Sequence, residues 1–184
     1  ITPLKRLSPR LPHMVRVLLF NPPTGLYRRD NRCQNRVEDQ TVNVVFPPME
    51  LLYPAAILER AGQTVQIRDY PAQDSTWNDL ITDLQQFQPD IAIFTATIAT
   101  LESDLQSAEL IKEHSPHTIT AAKGEPLHYL DEDILNKTSH LDIILRGEVD
   151  GYISHFVEGV DWNSLPEVTF RVNGQVIRTH REEK

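Results

Sequence analysis

Residues 15–26 read VRVLLFNPPTGL, and this stretch constrains the fold more than any other. An apolar run is stopped abruptly by Asn21, Pro22, Pro23 and Gly25. Proline has no N–H to give to a ladder, so a central strand must end there. In an open α/β sheet, ligands occupy the crevice outside the carboxyl ends of the strands. The rigid polar turn at residues 21–25 is therefore the first place to look for a site.

The rest of the chain alternates strand and helix. Residues 64–68, 91–94, 118–122 and 141–145 are short, mostly apolar strands. Residues 49–61 carry a wide apolar helical face of Leu51, Leu52, Ala55, Ile57 and Leu58, and Gly62 stops the helix. Tyr53 is expected in the core, and Pro54 is expected to kink this helix unless it lies in the first turn. Residues 77–87, capped by Ser75 or Thr76, bring Leu80, Ile81, Leu84 and Phe87 to one face. A third helix spans 101–114 and a short one 131–135, and Gly147-Glu148 opens another that runs to about Val157. Alternating runs around Asn173-Gly174 predict a hairpin. The expected class is α/β: a doubly wound, flavodoxin-like or Rossmann-like five-stranded parallel sheet with helices on both faces, plus a C-terminal β-hairpin. The expected strand order is 2-1-3-4-5, with the crevice between the first and third strands.

Net charge is −8. A phosphate-backbone binder needs a basic face, so nucleic acid is excluded as a partner. The single cysteine, Cys33, can form neither an intrachain disulfide nor a Cys-rich zinc or iron–sulfur site. No apolar run approaches the length of about 18 residues that a membrane helix needs. The seven histidines are not spaced as metal ligands on any one element, so no metal-ligating residues are assigned. A cytoplasmic location is expected. Residues 1–13 are basic and lack a signal's apolar segment, and Met14 directly precedes the first strand. They are read as a disordered leader or a remnant of an upstream frame.

Three loops should line the crevice: residues 21–27, 95–100 and 123–128. Asn21, Pro22, Pro23, Thr24 and Gly25 form the first. Thr95, Thr97 and Thr100 supply hydroxyls for a ligand, Thr97 foremost, although Thr100 could simply cap the following helix. Lys123 could contact an amide or a phosphate, or lie on the surface. Gly124 allows close approach of the backbone. Arg146, Gly147 and Glu148 could close the crevice, with Glu148 favoured by a helix dipole. The dinucleotide G-x-G-x-x-G and the P-loop are missing, as is a phosphoacceptor carboxylate at Asn21 or Thr95.

VLLFNPPTG, PPMELLYPAAILERAG, TATIATLESDL, AAKG and DIILRGE occur in that order. Together they resemble the N-terminal cobalamin (vitamin B12)-binding domain of class B radical S-adenosylmethionine enzymes, over roughly residues 14–180. The resemblance implies a cobalamin held across the strand carboxyl ends by the residues just named, within a domain at 14–160. Residues 161–184 would form the hairpin and the start of a linker. The D-x-H-x-x-G that supplies a cobalt-ligating histidine in the wider corrinoid-binding group is replaced by Asn21-Pro-Pro-Thr-Gly, which implies binding without that histidine. Glu125 departs from the small residue usual after the fourth strand. Radical chemistry needs C-x-x-x-C-x-x-C, which one cysteine cannot supply. No catalytic residue is therefore assigned, and the partner implied is a radical S-adenosylmethionine catalytic domain, in cis or in trans. The segment Arg28 to Gln34, with Cys33, could fold over the corrin or meet that partner. The alternatives are an α/β interaction module that has lost its corrinoid, and a flavin or nucleotide binder.

Overall fold

The computed structural model describes residues 14–25 and 46–180. The expectations placed on residues 1–13 and 28–34 lie outside them. Among the described residues, one sheet has the order β2-β1-β3-β4-β5-β6-β7. Strands β1 (Arg16–Asn21), β2 (Thr64–Asp69), β3 (Ile91–Thr95), β4 (Ile119–Lys123) and β5 (Ile143–Leu145) are parallel. Strands β6 (Val168–Val172) and β7 (Gln175–Arg178) follow antiparallel. The expected 2-1-3-4-5 order is found, and the hairpin extends the same sheet rather than standing apart.

The central strands read as nearly unbroken apolar runs because both faces are covered. Val17 and Leu19 of β1 face one way and pack with Leu51, Ala55 and Leu58 of α1 (Met49–Arg60) and Phe156 of α5 (Ile153–Val157). Leu18 and Phe20 face the other way. They pack with Leu80 and Leu84 of α2 (Trp77–Phe87), Ala108 and Ile111 of α3 (Leu101–His114), and Leu135 of α4 (Leu127–Lys137). Trp162, Val168 and Phe170 join the first of these cores.

Three expectations are corrected. Tyr53, and with it Leu52 of the expected apolar face, is exposed, at 58% and 36%, because the buried face of α1 is Leu51, Pro54, Ala55 and Leu58 and both fall off that stripe. The fourth helix is longer than 131–135, starting at Leu127. No helix opens at Gly147-Glu148: Gly147 has φ +60°, Glu148 is extended, and only a short 3₁₀ turn precedes α5. Of the two caps expected for α2, Thr76 is used, its N–H and hydroxyl both donating to Asp79.

Edge strand β2 is tied to α2 through one carboxylate. Asp83 accepts from Arg68 at 2.8 and 2.9 Å, from the Tyr70 hydroxyl at 2.8 Å and from Gln66 at 3.1 Å. Burial pushes the Asp83 carboxyl up, but the bonds from Arg68, Tyr70 and Gln66 outweigh it and hold the group below the usual carboxylate range. Asp131 of α4 is held down in the same way, with burial opposed by Thr169, Arg178 and Arg146. A carboxylate depressed in the folded state adds stability above its unfolded value of about 4, and that stability is lost as pH falls through the folded value. Urea unfolding across pH should therefore show a plateau near neutrality and a fall in acid. Asp83→Asn should be less stable at neutral pH and fall less steeply. An acid slope equal to that of the wild type would remove Asp83 as a source.

Candidate functional site at the strand carboxyl ends

At the ends of β1 and β3, the Thr95 hydroxyl donates to Asn21 Oδ1 at 2.6 Å, and both residues are buried. The chain then turns at Pro22, whose carbonyl accepts from the Thr24 N–H at 2.8 Å. Pro22 is buried, Pro23 half-buried, and Gly25 exposed at φ +107°. Asp104, one turn into α3 and fully buried, draws the neighbouring loops together. It accepts from the Thr24 hydroxyl at 2.6 Å, the Thr97 N–H at 3.0 Å and the Thr100 hydroxyl at 2.7 Å. Thr100 therefore does not cap α3 with its side chain; it donates inward to Asp104, and its hydroxyl also pairs with that of Thr97.

The end of β4 is built around a proline. Pro54 cannot donate to the Glu50 carbonyl four residues back, which leaves that acceptor without its helical partner. Lys123 takes the place: its Nζ donates to the Glu50 carbonyl at 2.7 Å and to the Glu50 carboxylate at 2.8 Å. Lys123 is thus a buried clamp between β4 and α1, not a surface lysine. Gly124 follows with φ +143°, and a Cβ there would lie 2.1 Å from the Ala96 carbonyl oxygen. The loops after β3 and β4 meet backbone to backbone, with the Ala96 N–H donating to the Lys123 carbonyl at 2.8 Å.

After β5, Arg146 turns inward. Its Nε lies 3.2 Å from Asp131, and its terminal nitrogen donates to the Val168 and Thr179 carbonyls. Gly147 passes close to the Glu167 carboxylate, and Glu148 is exposed. Glu148 sits at the start of a 3₁₀ turn rather than in the first turn of an α-helix.

A crevice of about 200 Å³ opens between the start of α1 and the loops after β4 and β5, lined by Glu50, Lys123, Gly124, Glu125, His128, Tyr129, Gly147 and Glu148. Lys123, Gly124, Gly147 and Glu148 of the expected residues come together on it. Asn21, Pro22, Pro23, Thr24, Gly25, Thr95, Thr97 and Arg146 are not on its lining; several of them bind one another or the interior. Sequence reasoning missed Glu50 and Tyr129 on the wall and the buried Asp104 that joins the neighbouring loops, whereas His128 ends the loop expected there. An acidic residue one turn after a run of threonines was the available signal for Asp104. Large apolar side chains stay exposed at this end: Ile98 after β3, Tyr129 at the start of α4, and Phe46 and Met49 at the start of α1. A larger cleft, about 510 Å³, lies at the opposite end of the sheet. Its Lys112 and Asp142 are already bonded to each other and to β4, and the strand-end loops do not reach it. The carboxyl-end crevice is the better candidate. Among the described residues no set of His, Cys, Asp or Glu is grouped to hold a metal, and no helix is long and apolar enough to cross a membrane.

Residues 37–157 match the B12 binding domain family. The chain is 23% identical over 167 residues to an uncharacterized methyltransferase of Pyrococcus horikoshii, covering 89% of this chain and 34% of that protein. It is 23% identical over 134 residues to the anaerobic magnesium-protoporphyrin IX monomethyl ester cyclase of Cereibacter sphaeroides, covering 70% of this chain and 21% of that one. Among solved structures, the radical S-adenosylmethionine methyltransferase TsrM from Kitasatospora setae superposes with TM-score 0.68 at 13% identity, over 90% of this chain and 30% of its own. The cobalamin-dependent S-adenosylmethionine radical enzyme OxsB, with aqua-cobalamin and S-adenosylmethionine bound, gives TM-score 0.68 at 15% identity, over 93% and 23%. At such identities the structures establish a shared fold. The chain spans about a third or less of the curated relatives it matches.

Proposed function

This chain belongs to the B12-binding domain family, and we propose that it holds a cobalamin at the carboxyl ends of its parallel strands, as the cofactor module of a radical S-adenosylmethionine methyltransferase-type enzyme. The observation that carries this reading is the character of the crevice: two glycines, an acidic wall and an apolar rim at the strand ends. The rim of a corrin bears primary amides, whose N–H groups suit carboxylate acceptors such as Glu125 and Glu148. Its broad faces suit exposed apolar side chains such as Ile98 and Tyr129. Among the described residues, the one lysine on the lining is spent on Glu50. An anionic flavin or nucleotide phosphate would face the exposed Glu125 and Glu148 carboxylates there, which disfavours that alternative.

In this reading Glu125 and Glu148 orient the corrin edge by accepting from its amides. Ile98 and Tyr129 exclude water from its face, and Lys123 fixes the floor by holding α1 against β4. The cofactor, when bound, supplies a cobalt centre able to carry a methyl group. With a single cysteine the chain lacks the ligands for a radical iron–sulfur cluster, so substrate chemistry falls to a catalytic domain, in cis or in trans.

The test is an anaerobic titration with hydroxocobalamin and methylcobalamin, read by corrin absorbance and equilibrium dialysis. Saturable binding of one cobalamin per chain is expected. Glu125→Lys should weaken it about tenfold, or about 1.4 kcal/mol. No binding at high micromolar cobalamin would sink the proposal and leave an α/β module without corrinoid.

A further inference from the structure

We infer that Asp104 is a positioning residue, the tie that sets the loops after β1 and β3 in the arrangement that receives the corrinoid. The receiving function rests on the reading proposed above; the tie itself rests on geometry alone. Asp104 is fully buried on α3 and off the crevice lining; the loop it holds after β3 meets the lining through Ala96, which abuts Gly124 and donates to the Lys123 carbonyl. A buried carboxylate is costly unless its oxygens are filled with donors. Among the described residues the donors come from two loops far apart in sequence. Oδ1 takes the Thr24 hydroxyl from the loop after β1. Oδ2 takes the Thr97 N–H and the Thr100 hydroxyl from the loop after β3. Within the second loop the Thr97 and Thr100 hydroxyls close a further bond at 2.8 Å. The neighbouring Asn21–Thr95 bond joins the strands from which both loops spring. All of the hydroxyls that invite assignment to a ligand are thereby accounted for as scaffold.

The chemistry of the hub makes a specific demand. From the described residues three donors converge on one side chain, and both oxygens accept. Asparagine keeps one acceptor and presents an NH₂ where the other stood. In Asp104→Asn, the amide oxygen can stay on the Thr97 N–H and the Thr100 hydroxyl, and the NH₂ then faces the Thr24 hydroxyl, which must reverse to accept. All of these bonds lose the carboxylate's charge, and charge-assisted bonds are roughly twice as strong as neutral ones. The substitution should therefore loosen both loops while α3 keeps its apolar contacts through Ala108 and Ile111.

The experiment compares the full chain as wild type, Asp104→Asn, Thr24→Val, Thr24→Ser and Asp83→Asn. The last removes a buried carboxylate on α2, off the crevice lining, and controls for general loss of stability. Amide hydrogen exchange is read first, without cofactor. Asp104→Asn should raise exchange at least tenfold in residues 95–100 and in residues 21–25, leaving the interior of β1 and β3 protected. Thr24→Val should loosen residues 21–25, Thr24→Ser should restore them, and Asp83→Asn should leave both loops as in the wild type. Loop exchange in Asp104→Asn equal to that of the wild type, or matched by Asp83→Asn, would overturn the tie. Hydroxocobalamin binding is read second. Asp104→Asn should raise Kd about tenfold and Asp83→Asn should not; equal Kd for Asp104→Asn and wild type would overturn the receiving role. Failure of the wild type itself to bind would sink the proposed function, and the exchange comparison alone would then decide the tie.

Discussion

Replacing Gly124 with alanine is expected to destabilise the protein by about 3 kcal/mol or more, the sum of a strained backbone and a steric conflict. The conflict dominates, because the new methyl would lie 2.1 Å from the carbonyl oxygen of Ala96, and backbone has little room to yield. Gly62 provides the control. It too has a positive φ, +82°, but nothing lies within 4 Å of where its Cβ would stand. Gly62→Ala should therefore cost only the conformational part, about 1 kcal/mol. Urea unfolding of the two variants separates the effects. If Gly124→Ala came within experimental error of Gly62→Ala, the close approach of the two loops would be wrong. The prediction also bears on function. Because Gly124 is needed by Ala96, loss of corrinoid binding in a bulky Gly124 variant would report a displaced loop, not a lost ligand contact. Variants at Glu125 and Glu148, which are exposed on the crevice, are the cleaner probes.

The sheet was legible in the sequence because its cause is local and repeated. Residues 17–20 and 91–94 are apolar at successive positions, which is what burial on both faces requires, and Pro22 marks where β1 must end. The hairpin was legible from Asn173-Gly174, but its place beside β5 was not, since edge pairing depends on partners distant in sequence. Helix-face assignments failed by one position at Tyr53, where a phase error of a single residue turns a core side chain outward. The site was less legible than the fold for a definite reason. Threonines, a lysine and an arginine at strand ends carry the same signal whether they bind a ligand or each other. Thr97 is engaged by Asp104, Lys123 by the carbonyl that Pro54 leaves without its helical donor, and Arg146 by Asp131. Those pairings span 7, 73 and 15 residues, and no motif states them.

The buried charge cluster behind the β5 loop should be the other place of high sensitivity, and the effect should be asymmetric. Asp131 accepts from Thr169 at 2.5 Å and from Arg178 at 2.7 Å, with the Arg146 Nε at 3.2 Å. The Arg146 Nε is fully buried and lies within ion-pair distance of Asp131 but outside hydrogen-bond geometry. What it gains from Asp131 is therefore mainly charge. Burial and the neighbouring Arg178 charge push Arg146 below its ordinary value, with Asp131 and Glu167 opposing. It remains a cation at any accessible pH. Asp131→Asn should thus strand a buried guanidinium and cost about 3–5 kcal/mol at neutral pH. Arg146→Met should cost less, because Asp131 keeps Arg178 and Thr169. The double replacement Asp131→Leu with Arg146→Met should recover part of the single loss, since neither charge is then left alone. Acid should erase most of the difference between wild type and Asp131→Asn, because protonation of Asp131 does to the wild type what the substitution does to the variant. Urea midpoints at neutral and acid pH supply all four comparisons. Equal losses for Asp131→Asn and Arg146→Met would mean that Arg178 and the Val168 and Thr179 carbonyls suffice to hold the cluster. The loop carrying Gly147 and Glu148 to the crevice would then be fixed by hydrogen bonds to backbone rather than by buried charge.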